Sequence, residues 1–81
     1  MDKRIGVVAI LVEDLESVEE VNSILSKFSE IIIGRMGVPY KEKNVNVISV
    51  IVDGTTDNIG AMTGKLGRLS GVTVKSALTK K

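Results

Sequence analysis

Two stretches of this 81-residue chain, residues 5–12 and 45–52, are apolar at nearly every position. Alternate residues of a β-strand point to opposite sides of a sheet. Ile5, Val7, Ala9 and Leu11 therefore make one face of the first strand, and Val8, Ile10 and Val12 make the other. In the second stretch Ile48, Val50 and Val52 oppose Val47 and Ile51, and neither set carries the polarity of a solvated face. Both sides of the predicted sheet favour leaving water.

The segments between these strands follow a different period. Asp14 stands at an N-cap position, and Leu15, Val18, Val21, Leu25 and Phe28 recur at spacings of three and four, which predicts an amphipathic helix. Glu16, Glu19 and Glu20 complement the positive end of its dipole and Lys27 the negative end. Ile31, Ile32 and Ile33 open a second strand that runs through Gly34-Arg35-Met36-Gly37 to Val38 and ends near Pro39. Residues 40–44 are polar and suit a hairpin connection into the third strand, which Asp53-Gly54 closes. Thr55 or Thr56 caps a second helix with apolar positions Ile59, Met62, Leu66 and Leu69. Ser70-Gly71 breaks it, and residues 72–78 form the last strand.

The order βαββαβ, with helix positions 18, 21, 25 and 28 echoed at 59, 62, 66 and 69, reads as two similar halves. It predicts one α+β domain over residues 1–81, a ferredoxin-like sandwich with a four-stranded antiparallel sheet and both helices on one face. Strands one and three lie in the centre. The second face, apolar and without helices, is then expected to be covered in an oligomer.

Composition sharpens that expectation. A chain of this length buries only about 60% or slightly more of its unfolded surface, and small domains add disulfides, metals or subunit contacts. Cys and His are both absent, which leaves oligomerisation. Iron–sulfur clusters and thiolate metal carriers are excluded for want of Cys, and triad chemistry for want of His. Neither an enzyme nor a cofactor is expected. Tyr40 and Phe28 are the only aromatic residues, too few and too badly placed for base stacking on the sheet. A net charge of +1 offers no field for nucleic acid or lipid. No apolar run approaches the ~20 residues of a membrane span, and a cytoplasmic location is the expectation. Residues 13–30 sum to −5 and residues 31–81 to +5, so the molecule carries opposed charged regions.

Two motifs call for explanation. Gly60, Gly64 and Gly67 lie along one side of the second helix, where each helical Gly costs about 1 kcal/mol relative to Ala. Tight packing onto strands or the other helix accounts for them, and contact with a symmetry mate is the sharper reading. In Gly34-Arg35-Met36-Gly37 the glycines mark a bulge or a close backbone approach, and Arg35 is placed to pair with an anionic ligand or a neighbouring carboxylate. The acidic cluster Glu16, Glu19 and Glu20 has a structural explanation in the helix dipole and a functional one as a cation site, whereas Glu13-Asp14 and Asp53-Gly54 are explained by capping and turn formation or by helix N-termini that hold an anion.

Three segments, Ile33-Gly-Arg-Met-Gly-Val-Pro-Tyr, Lys43-Asn-Val-Asn-Val-Ile-Ser and Gly64-Lys-Leu-Gly-Arg-Leu-Ser-Gly-Val, resemble small stand-alone proteins described as iron-only hydrogenase system regulators. The resemblance spans almost the whole chain. It implies an ACT-like regulatory domain, similar in fold to the C-terminal domain of the nickel-responsive repressor, forming homo-oligomers (dimers or tetramers) through the sheet. The repressor's nickel site uses His and Cys, so no metal is expected here. ACT domains bind small effectors near the first strand-to-helix loop, which corresponds to Leu11, Val12, Glu13 and Asp14. An acidic pair replaces the glycine usual in amino-acid-binding members. With Gly34, Arg35, Met36 and Gly37 these residues form the expected ligand-binding set. A small-molecule effector or a protein partner is expected, and neither direct nucleic-acid binding nor membrane association is. The alternative is a structural protein–protein assembly module without a small-molecule ligand.

Overall fold

A computed structural model describes residues 3–80. Its strands are β1 (Lys3–Val12), β2 (Ile32–Tyr40), β3 (Val45–Thr55) and β4 (Val72–Lys80), and its helices are α1 (Val18–Lys27) and α2 (Thr56–Gly67). The sheet order is β2-β3-β1-β4, with every neighbouring pair antiparallel. This is the ferredoxin-like arrangement, with β1 and β3 central.

The apolar periods decide where the helices sit. Val21 and Leu25 of α1 and Ile59, Met62 and Leu66 of α2 are buried, and they meet Val8, Ile10, Val12, Ile48, Val50 and Val52 of the central strands. These six strand residues are between 0% and 6% exposed. Burying each such side chain contributes about 1.5–3 kcal/mol, and the layer between sheet and helices is the hydrophobic core. Thr55 caps α2 by accepting a hydrogen bond from the Asn58 backbone N–H at 3.0 Å.

Local details depart from the sequence reading. Leu15 does not join the α1 core stripe. It belongs to a 3-10 turn, Leu15–Ser17, that precedes the helix, and it is 61% exposed beside Pro39, Tyr40 and Val45. Asp53-Gly54 does not close β3, because Gly54 still pairs with Arg4 and Thr55 with Lys3. Gly54 is buried because Ile31 crosses it: a Cβ there would lie 2.8 Å from Ile31 Cγ2. Likewise β4 extends to Lys80 to pair with the start of β1. The bulge of β2 falls between Ile32 and Gly34, one residue ahead of the expected Gly-Arg-Met-Gly segment. Ile33 absorbs the extra residue and is 64% exposed.

The glycines of α2 are not packed against their own chain. A Cβ at Gly60, Gly64 or Gly67 would meet nothing within 4 Å. They face a groove of about 500 Å³ beside Val72–Ser76 of β4, which has no strand on its far side. Intramolecular close packing therefore does not explain them.

Candidate functional site

On the side of the sheet away from the helices, the register places Val7 opposite Ile51 and Leu11 opposite Val47. Val38 flanks Val47, Met36 flanks Ser49, and Ala77 flanks Val7. Val7 and Ile51 are each 44% exposed, and Met36 is 65% exposed. Ile5, Gly6, Val7, Ile51, Ala77 and Thr79 line a shallow hollow of about 540 Å³. Polar side chains interrupt this face at Asp53, opposite Ile5, at Thr73, Lys75 and Thr79 on the edge strand β4, and at Ser49, opposite Ala9 in the middle of the face. Strands about 4.8 Å apart with a rise of about 3.3 Å per residue give this face a flat footprint of roughly 500–600 Å². Side-chain relief brings that towards the ~800 Å² per partner of a standard interface.

The expected ligand-binding residues fall in two places. Leu11 faces the open side of the sheet, Val12 is buried in the core, and Glu13 and Asp14 form the connection to the 3-10 turn. That connection is tied to the turn between α2 and β4. The Glu13 backbone N–H donates to the Gly71 carbonyl at 2.7 Å, and the Ser17 hydroxyl donates to the Ser70 carbonyl at 2.7 Å. Gly71, at φ +68°, presses so closely on Asp14 that a Cβ would lie 2.6 Å from the Asp14 Cβ. Asp14 itself caps the turn, its Oδ1 accepting from the Glu16 N–H at 3.0 Å.

The other group lies on β2, which is separated from β1 by the whole of β3, a distance of about 10 Å. Within one subunit the two groups do not form a single pocket. Along β2 the residues alternate: Gly34, Met36 and Val38 share the open face with Ile51, Ser49 and Val47, whereas Arg35 and Gly37 share the helix side with Val50 and Ile48. The Arg35 guanidinium reaches α1, where Nη2 donates to Asn22 Oδ1 at 2.6 Å. Among the described residues no carboxylate pairs with Arg35. Asn22, Arg35, Gly37, Pro39, Asn46 and Ile48 line a cavity of about 290 Å³ there.

Asn22 and Asn46 were not selected from sequence. The available signal was Asn22 itself, an amide in the middle of a helix, where Asn is disfavoured unless its side chain has a task. Among the described residues no group of three or more acidic side chains is arranged to hold a metal ion. Among the described residues no helix is long and apolar enough to cross a membrane.

This topology, with both helices on one face of a four-stranded antiparallel sheet and an apolar open face on the other, defines a ferredoxin-like, ACT-like fold. Residues 4–76 match the TM1266-like family, described as "Iron-only hydrogenase system regulator, putative", and the chain belongs to that family. It is similar to the uncharacterized protein TM1266 from Thermotoga maritima, with 39% identity and a TM-score of 0.91 over 98% of this chain and 100% of that one. A "putative glycine cleavage system transcriptional repressor" shares the fold at 14% identity and a TM-score of 0.71, with 98% of this chain covering 47% of that one. The nitrogen regulatory PII-like protein CPII from Thiomonas intermedia K12 shares it at 12% identity and a TM-score of 0.54, over 96% and 94% of the two chains. No curated protein sequence matched the chain.

Proposed function

We propose that this protein is a non-enzymatic regulatory module of the iron-only hydrogenase system that works as a homo-oligomer, assembled through the open face of its sheet and responsive to a small effector or a protein partner. The apolar outer face of β1 and β3 carries this reading. A sheet face with Val7, Leu11, Val47 and Ile51 exposed is costly for a lone subunit, and a second copy is self-complementary to it by two-fold symmetry. The family description supports the link to hydrogenase, and the absence of His and Cys supports a role without catalysis. The effector residues proposed are Leu11, Val12, Glu13 and Asp14 at the first strand-to-helix connection and Gly34, Arg35, Met36 and Gly37 on β2.

A thermal-shift screen across amino acids, nucleotides and metal ions tests the sensing role. A ligand at 100 times its dissociation constant adds about 2.7 kcal/mol of stability to the state it binds. Stabilisation by one class supports the sensor, whereas a flat response to every class favours the structural assembly module. Deleting the gene in its source organism and measuring iron-only hydrogenase transcripts and activity tests the physiological link, which unchanged levels of both contradict.

A further inference from the structure

We propose that the cavity between α1 and β2 is a binding site for a compact, singly charged carboxylate, and that its occupancy is coupled to assembly through the sheet. This rests on the reading of the domain as an effector-responsive module and gives that effector a chemical class. Three elements contribute polar groups to the cavity: Asn22 from α1, Arg35 from β2 and Asn46 from β3. Asn22 holds the guanidinium by one bond at 2.6 Å, which orients it without neutralising it. A neutral amide in that position leaves the positive charge available, and the remaining N–H groups of the guanidinium present the planar fork that matches two carboxylate oxygens. The Asn46 side chain makes no hydrogen bond to another described residue.

Size and charge narrow the ligand. The hollow measures about 290 Å³ and is open to solvent, with Asn22 and Arg35 exposed, at the low end of the roughly 300–1,000 Å³ of ligand pockets, and the contact surface it offers suits a small acid. Gly37 keeps the space open, since a Cβ there would meet only Ile48 Cγ1, at 3.9 Å. Ile48 and Pro39 then offer an apolar surface for a short hydrocarbon tail. Glu19 lies one turn before Asn22 on the same side of α1. Like charge at this flank disfavours a dianion such as phosphate more than a monoanion. Coupling follows from the pleat of β2. Arg35 and Gly37 face the cavity side, while the intervening Met36 and the following Val38 face the open side of the sheet, so a shift of this strand is felt on both sides. Linkage then requires assembly to change carboxylate affinity by the factor by which carboxylate changes assembly.

The test is a ¹⁵N NMR titration of the full chain with sodium propionate, inorganic phosphate and sodium chloride at constant ionic strength, following the Arg35 Nε–H and the Asn22 and Asn46 side-chain amides. Propionate is expected to give saturable shifts of all three, with phosphate at least about tenfold weaker and chloride non-saturating. Arg35→Gln is expected to weaken propionate by at least about tenfold, and Gly37→Val, which fills the cavity with only van der Waals contact to its floor, to abolish the shifts in a folded protein. Sedimentation with saturating propionate is expected to move the association constant of the wild type and not that of Arg35→Gln. Equal propionate affinity in the wild type and Arg35→Gln, or saturable phosphate binding as tight as propionate, overturns the site. Association unmoved by saturating propionate overturns the coupling. Propionate affinity unchanged by Arg35→Gln, together with thermal stabilisation by another effector, removes this site while leaving the regulatory reading intact, so the two failures are distinguishable.

Discussion

The two faces of the central strands have nearly the same hydrophobicity in sequence and opposite fates in the fold. Val8, Ile10, Val50 and Val52 are completely buried, whereas Val7 and Ile51, their immediate neighbours along the same strands, are 44% exposed. The difference comes from the helices. Only two are available, each with one apolar stripe, and the split βαβ connections put both on one side of the sheet. Apolar strand residues therefore announce that a surface is to be covered, without saying whether the cover is intramolecular. One face is satisfied by α1 and α2, and the other is the surface proposed for a second copy.

The comparison breaks most sharply at residue 50. Val50→Asp puts a carboxylate into the fully buried layer between sheet and helices, where the cross-strand cation Arg35 is held by Asn22 at the exposed edge, and a buried charge without its own partner is among the few changes that cost more than about 4 kcal/mol. With total stabilities of about 5–15 kcal/mol, the expected outcome is loss of the far-UV helical signal and of the cooperative thermal transition. A folded Val50→Asp protein would mean that the buried and open faces have been assigned the wrong way round.

Glycines sharpen the same contrast on a smaller scale. Gly54→Ala drives a methyl group into Ile31 at 2.8 Å, and overpacking of this kind costs about 1–3 kcal/mol. The expectation is a clear drop in the urea midpoint with an unchanged slope. Gly60→Ala enters open space on α2 and should raise the stability of an isolated subunit by up to about 1 kcal/mol through helix propensity alone. A destabilised Gly60→Ala protein that also loses subunits on dilution would show instead that the groove beside β4 is part of an intersubunit contact.

The sequence carried much of the fold because its apolar runs and its helical period are distinct. Continuous apolar runs located β1 and β3, an isoleucine run and turn signals bounded β2 and β4, 3.6-residue patterns located both helices, and Thr55 was readable as a cap because its hydroxyl precedes the apolar run at the right distance. Tertiary pairing governed what was misread. Gly54 looks like a turn residue until Arg4 and Ile31 are seen on either side of it. Leu15 fits the helical spacing, but the chain there is still a 3-10 turn beside the end of the β2–β3 connection. For the candidate site, Arg35 stood out as a lone cation between glycines. Its partner Asn22 lies thirteen positions away on another element, a relation that no local pattern encodes. The separation of Glu13 and Asp14 from Arg35 was equally hidden, since it depends on β3 inserting between β1 and β2.

The central claim is that the exposed apolar face is an assembly surface. Sedimentation equilibrium of the wild type beside Ile51→Asp, at micromolar concentration, tests it most directly. Ile51 is on the open side of the sheet, so the substitution should leave the circular dichroism spectrum native. The account predicts a wild-type mass that is a multiple of 8.7 kDa and an Ile51→Asp mass equal to one subunit. A wild-type protein that stays a single subunit across this range, or an Ile51→Asp oligomer as tight as the wild type, would contradict it.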